Sequence, residues 1–92
     1  MDIVQVKILD EEKLERKHNV RGYEVFDVMR SQPRIRFLEK GQHPDEDVYV
    51  AYGRATSGRY IVVFFIYKLS RVALVISARE MESKERRQYG RK

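Results

Sequence analysis

Cysteine and tryptophan are absent from this 92-residue chain, proline occurs twice and glycine five times. Without cysteine there is no disulfide and no thiolate metal site, which fits a reducing compartment. With so little proline and glycine there is no low-complexity stretch, so a globular domain is the default. The longest apolar run, Tyr60 to Tyr67, falls far short of the roughly 20 residues a membrane helix needs. Met1 to Gln5 offer neither a basic n-region nor an apolar h-region, so no signal peptide is expected and the simplest location is cytoplasmic. Cofactor fingerprints are missing too: there is no Gly-rich phosphate loop and no nucleophile elbow. His18 and His43 stand far apart, and Asp45, Glu46 and Asp47 lack the spacing of a calcium loop. The expectation is no cofactor and no metal, with any chemistry left to Arg, Tyr and His, and with Glu46 of the loop as either a general base or solvated loop charge.

What the chain does have is positive charge, unevenly placed. The net charge is +5. Asp10, Glu11, Glu12 and Glu15 make an early acidic stretch, and basic residues then dominate from Arg16 to Arg36 and again from Arg79 onward. Two basic zones in one small domain, residues 1–92, point to an anionic partner, with nucleic acid first. A solvated, salt-bridging surface accounts for the same counts.

The apolar pattern predicts an α+β fold. Val4, Val6 and Ile8 alternate with polar residues, as in a half-buried strand. Asp10 can cap a helix running from Glu11 to about Lys17, with Asn19 as its stop. A second helix, about Arg21 to Arg30, is expected to bury Val25, Phe26 and Met29, with Tyr23 or Val28 at the edge of its apolar stripe. After Pro33, Ile35 and Phe37 alternate with Arg34 and Arg36, a strand with one basic face. Glu39 to Asp47 reads as a polar loop, Val48 to Tyr52 as a strand, and Gly53 to Gly58 as a turn. Arg59 to Tyr67 is continuously apolar after its first residue, hence a central strand covered on both faces, and Arg71 to Ile76 follows closely. The last three or four strands are expected to form an antiparallel sheet as a meander. Ser77-Ala78-Arg79-Glu80 matches a capping box and predicts a C-terminal helix from there to about Tyr89.

On that helix Arg79, Glu82, Arg86 and Tyr89 would share one stripe, and Glu80, Lys84, Arg87 and Arg91 a second, mostly basic one. An exposed helix held by Glu82–Arg86 and Glu80–Lys84 pairs explains this pattern. So does a clamp in which Arg79 and Arg86 hold a phosphate and Tyr89 donates a proton or stacks on a base. Arg59, at the start of the central strand, is expected to reach the same phosphate if its strand pairs with the next as a hairpin. His18, at a helix end, is either a capping residue or a proton shuttle.

At these residues the chain resembles the BrnT family of bacterial type II toxins, within the RelE-like ribonuclease superfamily. The matching pieces are Lys17-His18-Asn19-Val20 with Glu24-Val25-Phe26, then the His43-to-Asp47 loop running into Tyr49-Val50-Ala51-Tyr52-Gly53-Arg54. Gly58-Arg59-Tyr60-Ile61-Val62-Val63 follows, and Ile76-Ser77-Ala78-Arg79 with Glu85-Arg86 and Tyr89 completes the set. The likeness covers about residues 8 to 89. It implies a small RelE-like fold that cleaves RNA without metal and arrests translation, acting on mRNA on or off the ribosome. It further implies a cognate antitoxin that neutralises the chain, and contact with operator DNA only through that complex. By position, Arg59, Arg79, Arg86, Tyr89 and His18 inherit catalytic roles, with Arg59 and Arg79 stabilising charge and Tyr89 or His18 moving protons. Arg54, Arg87, Lys84, Arg34 and Arg36 are the further candidates for RNA contact. Two departures stand out: Ile8-Leu9-Asp10-Glu11 replaces the family's Trp-Asp-Pro step, and Val48 stands where the family places an Arg, which implies either weaker activity or the use of Arg54 instead. A different class of function, a non-catalytic module that binds RNA or the antitoxin, is compatible with the Val48 departure and with the lack of a placed general base.

Overall fold

The structure is a computed structural model and describes residues 1–90. Five strands and three helices follow one another as β1 Gln5–Ile8, α1 Glu11–His18, α2 Gly22–Arg30, β2 Arg34–Glu39, β3 Val48–Arg54, β4 Tyr60–Tyr67, β5 Val72–Glu80 and α3 Ser83–Gly90. The class is α+β. The sheet order is β1-β5-β4-β3-β2.

β2 to β5 pair antiparallel, each with the next, whereas β1 lies parallel to β5. The sheet is therefore mixed rather than antiparallel throughout. The reason is the path of the chain: α1 and α2 separate β1 from the other strands, so no hairpin dictates its direction. Val6 and Ile8 pack against the core beneath these helices, and Val4 and Leu9 donate to the carbonyls of Arg71 and Val75.

Local signals set the first helix. The Asp10 carboxylate accepts from the Lys13 N–H, and Asn19 ends the helix in the left-handed region at φ 54°. In α2 the buried side chains are Glu24, Val25 and Val28, whereas Phe26 and Met29 are half-buried and Tyr23 is exposed. The stripe is thus rotated from the expected one, and Val28 lies at its centre. Val28 packs over Gly53 of β3, where an added Cβ would stand 2.9 Å from the valine methyl, so glycine sets the close approach of α2 to the sheet.

The two faces of the sheet differ. One carries Ala51, Ile61, Val63, Phe65, Ala73, Val75 and Ala78 beneath α1 and α2, forming the main core. The other carries a smaller cluster of Val50, Val62 and Met81 with Tyr52, Tyr60, Phe64 and Tyr89.

Ser77 to Glu80 belong to β5, not to a helix. Their partners are Phe64 down to Ile61 of β4, and Ala78 is fully buried in the main core. A helix starting at Ser77 would leave that stretch of a central strand without ladder partners, and an end cap worth about 1 kcal/mol does not offset the loss. The helix begins at Ser83 instead. Glu85, in its first turn, reaches back to accept the Glu82 N–H at 2.8 Å, one half of a capping box, five residues later than the sequence signal. Met81 follows the strand as a buried residue. Arg91, counted in the basic stripe, and Lys92 lie outside the described residues.

One residue of β5 has no partner. Phe65 pairs with Val75 and Phe64 with Ser77, so Ile76 is a bulge and is turned outward. An extra residue flips every later side chain to the other face. Ala78 therefore points into the core and Arg79 points away from it.

A candidate nucleic-acid interface on the second sheet face

Cross-strand register places the cationic side chains of the second face. Arg34 pairs with Tyr52, Tyr52 with Val62, and Val62 with Arg79, so one row runs Arg34–Tyr52–Val62–Arg79. The adjacent row runs Arg36–Val50–Phe64–Ser77, and Arg54 stands opposite Tyr60 at the strand ends. Three strand spacings separate Arg34 from Arg79, about 14 Å.

α3 crosses this face, although it has no buried residue of its own. Tyr89 meets Tyr60 edge-on with ring centroids 6.1 Å apart. Arg86 lies over the Tyr60 ring at 4.2 Å, and Arg54 lies 5.2 Å from the same ring. Arg34 donates to the Gln88 carbonyl at 3.3 Å. A small cleft between helix and sheet is lined by Arg34, Arg36, Tyr52, Glu85, Gln88 and Tyr89.

Arg79 is the best-defined cation here. Its Nη1 and Nη2 donate to the two Glu85 carboxylate oxygens at 2.7 and 2.9 Å, and Nη1 also donates to the Glu80 carbonyl. Its guanidinium carbon lies 5.6 Å from the centre of the Phe64 ring. The Arg79 hydrogen bonds hold the Glu85 carboxyl below the usual carboxylate range, and those of Glu85 raise Arg79 above the ordinary arginine value. Both groups are charged at neutral pH.

Arg59 does not share this site. It reaches to the helix-covered side, where its Nη1 donates to Glu24 at 2.7 Å and to the Asn19 carbonyl at 2.8 Å. Its Nε and Nη2 both reach one Glu80 oxygen at 2.9 Å. Glu24 is 1 % exposed and also accepts from the Ser57 hydroxyl and the Arg21 N–H. The expected pairing of Arg59 with Arg79 on one phosphate is replaced by two arginines on opposite sides of the sheet.

The remaining candidates divide the same way. His18 ends α1, on the helix-covered side, in a shallow groove with Lys13, Lys17, Ile76 and Ser77. Lys84, Arg86 and Arg87 are exposed on α3 and Tyr89 is half-buried there. The His43–Asp47 loop lies at the far end of the sheet. Its Asp47 accepts from the Gly41 N–H and its Asp45 from the Leu69 N–H, so these two carboxylates hold turns together. Glu46 belongs to that loop and lies away from the Arg79 face.

Sequence reasoning missed two residues. Glu24 lies four residues before Val28, on the buried stripe of α2, and a carboxylate in an apolar stripe signals a buried partner. Glu85 gave no comparable sign, because its contact with Arg79 spans a strand end, a turn and a helix start.

Fold and face together define a small α+β protein with a cationic, aromatic surface of the kind nucleic-acid-binding proteins present. Residues 10–85 match the family model of BrnT, the ribonuclease toxin of type II toxin–antitoxin systems, and the chain belongs to that family. A comparison with curated proteins gives no match. No helix among the described residues is long and apolar enough to cross a membrane.

Proposed function

We propose that this chain is an endoribonuclease toxin that binds single-stranded RNA across the second sheet face and cleaves it without metal, inhibiting translation. The observation that supports this reading best is the row from Arg34 to Arg79, flanked by Arg36, Arg54 and Arg86 and interleaved with Tyr52, Tyr60 and Tyr89. Arginines track phosphates, and tyrosines and stacked guanidinium planes accept bases of any identity.

In the cleavage step the ribose 2′-oxygen bonds to phosphorus as the bond from phosphorus to the 5′-oxygen breaks. The products are a 2′,3′-cyclic phosphate and a 5′-hydroxyl. The 2′-hydroxyl proton passes to water, and the Tyr89 hydroxyl supplies a proton to the departing 5′-oxygen. Arg79 carries the largest share of catalysis by neutralising the charge that grows on the phosphoryl oxygens. Arg86, Arg54, Arg34, Arg36, Lys84 and Arg87 hold the strand. Arg59 acts through the fold, as the partner of Glu24. A cognate antitoxin neutralises the toxin by covering the cationic face, and operator DNA is contacted only through that complex.

The purified chain is expected to cut RNA in the presence of EDTA, and its induced expression to arrest growth. Arg79→Ala is expected to slow cleavage by about 100- to 1,000-fold and to remove the growth arrest at equal soluble protein. Cleavage that EDTA stops would remove the metal-free step, and full toxicity of Arg79→Ala would remove Arg79 from the mechanism. One observation favours a non-catalytic module instead: neither histidine lies on this face. RNA binding with no cleavage product, on or off the ribosome, would establish that second reading.

A further inference from the structure

We propose that Glu85 is the positioning residue for Arg79, gripping its guanidinium end-on so that the side-on edge is left as a two-pronged fork for one RNA phosphate. This rests on the ribonuclease reading and specifies how its charged centre is built.

A guanidinium has five N–H donors arranged on a fixed plane. In Arg79 the two Nη groups hold Glu85 in a bidentate pair, and the second Nη1 hydrogen goes to the Glu80 carbonyl. Among the described residues the Nε–H has no acceptor, nor has the remaining Nη2–H. Planar geometry puts those two hydrogens side by side, parallel, on one edge. That is the spacing that grips two oxygens of a phosphate.

The other arginines of the neighbourhood differ. Arg59 uses Nε, Nη2 and both Nη1 hydrogens within the fold. Arg54 gives its Nε to the Gly58 carbonyl, and Arg86 rests on Tyr60. Arg79 combines a rigid grip with a whole edge that meets no acceptor among the described residues.

The grip is itself anchored. Glu85 is held by the Glu82 N–H at the first turn of α3, and Phe64 lies beneath the guanidinium. A free arginine must lose its rotamer freedom when it meets the transition state, whereas one already fixed does not. The negative charge of Glu85 offsets much of the attraction Arg79 has for RNA in general. Positioning therefore shows in the rate of the chemical step, not in affinity. A carboxylate that merely masked Arg79 would have the opposite effect on both.

The experiment uses the full chain with Glu85→Gln, Arg79→Ala and the double variant. Glutamine also serves the first turn of a helix, so Glu85→Gln retains the contact to Glu82 and is expected to keep the wild-type circular dichroism spectrum and a cooperative melt, with a melting temperature lower by no more than about 4–8 °C. For a labelled single-stranded RNA, its dissociation constant should stay within about threefold of wild type while single-turnover cleavage slows roughly 10- to 100-fold, as for other supporting-shell residues. In the Arg79→Ala background Glu85→Gln should add less than about twofold. Faster cleavage, tighter binding at an unchanged rate, or full additivity with Arg79→Ala would each overturn the proposal.

A second readout needs no activity. In a nitrogen-15-labelled sample the Arg79 Nε–H resonance is identified by its loss in Arg79→Lys, and inorganic phosphate is added. It should shift to saturation in wild type and by less than half as much in Glu85→Gln. An unmoved wild-type resonance, or an equal shift in both proteins, overturns the fork. If the wild-type chain cuts no RNA, the ribonuclease reading falls and this phosphate titration alone decides whether the fork exists.

Discussion

Arg59 and Glu24 form the most buried ion pair of the described residues, with side-chain exposures of 26 % and 2 %. Removing one partner leaves an uncompensated charge against the core, which costs about 3 kcal/mol in such settings. Arg59→Met is therefore expected to lower the urea midpoint sharply. Its melting temperature should fall by about 12 °C or more, since 1 kcal/mol moves a domain of this size by about 4–8 °C. Arg79→Ala removes a pair that is more open to water and should cost only about 1 kcal/mol. The contrast matters for any toxicity assay, because loss of function in an Arg59 variant reports on folding, and the same loss in an Arg79 variant reports on chemistry. Two carboxyls add a pH dependence. Hydrogen bonds from Arg79 depress Glu85, and those from the Thr56 hydroxyl and N–H depress Asp27. Groups with lowered values in the folded state stabilise it above their unfolded values and lose that contribution as the pH falls through the folded ones. The urea midpoint should hold steady from pH 7 to about 5 and decline below about 4, less steeply for Glu85→Gln and Asp27→Asn than for wild type.

Among the elements, the bulge at Ile76 decides which side of the sheet receives Arg79. Deleting Ile76 removes the unpaired residue and leaves Val75, Ser77, Ala78 and Arg79 opposite Phe65, Phe64, Val63 and Val62, so Ala78 still faces the core and Arg79 still faces away from it. The deletion variant is therefore expected to stay soluble and to melt cooperatively, as is Ile76→Ala. An insoluble or molten deletion variant would contradict the register. The bulge also marks the limit of what the sequence discloses. Asp10 and Asn19, the alternation in β1 and β2, and the unbroken apolar run of β4 are local features, and each predicted its element. The Ser77–Glu80 capping pattern was equally local and misled, because the ladder to Ile61–Phe64 is a long-range demand that overrides a helix-end preference. Parallel pairing of β1 with β5 is likewise set by how the helices fold back over the sheet. The candidate site follows the same division. Arg79, Arg86 and Tyr89 were legible as a cluster of chemistry-bearing types, but their grouping with Arg34, Arg36 and Arg54 required the strand order. Glu85 required the turn between β5 and α3.

At the scale of the whole molecule, a net charge of +5 says less than its division between two faces. Arg36, Arg54, Arg79 and Arg86 belong to the α3 side, and Arg16 and Lys17 to exposed positions on α1. If RNA lies across the α3 side, each phosphate neutralised releases counterions and steepens the salt dependence of binding. For single strands the slope of log affinity against log salt is about −0.7 per phosphate. The seven cations placed on the strand, Arg36, Arg54, Arg79 and Arg86 with Arg34, Lys84 and Arg87, thus predict a slope of about −5, and the double variant Arg36→Ala/Arg86→Ala should reduce it to about −3.5. The control double variant Arg16→Ala/Lys17→Ala should leave the slope at about −5, although it removes the same formal charge. Net charge alone would make the two double variants indistinguishable, so fluorescence anisotropy titrations between about 50 and 200 mM salt separate a located interface from diffuse attraction. Equal slopes for both variants would mean that the protein attracts RNA as a cation without a face. A reduction confined to the α1 variant would move the interface to the groove beside His18.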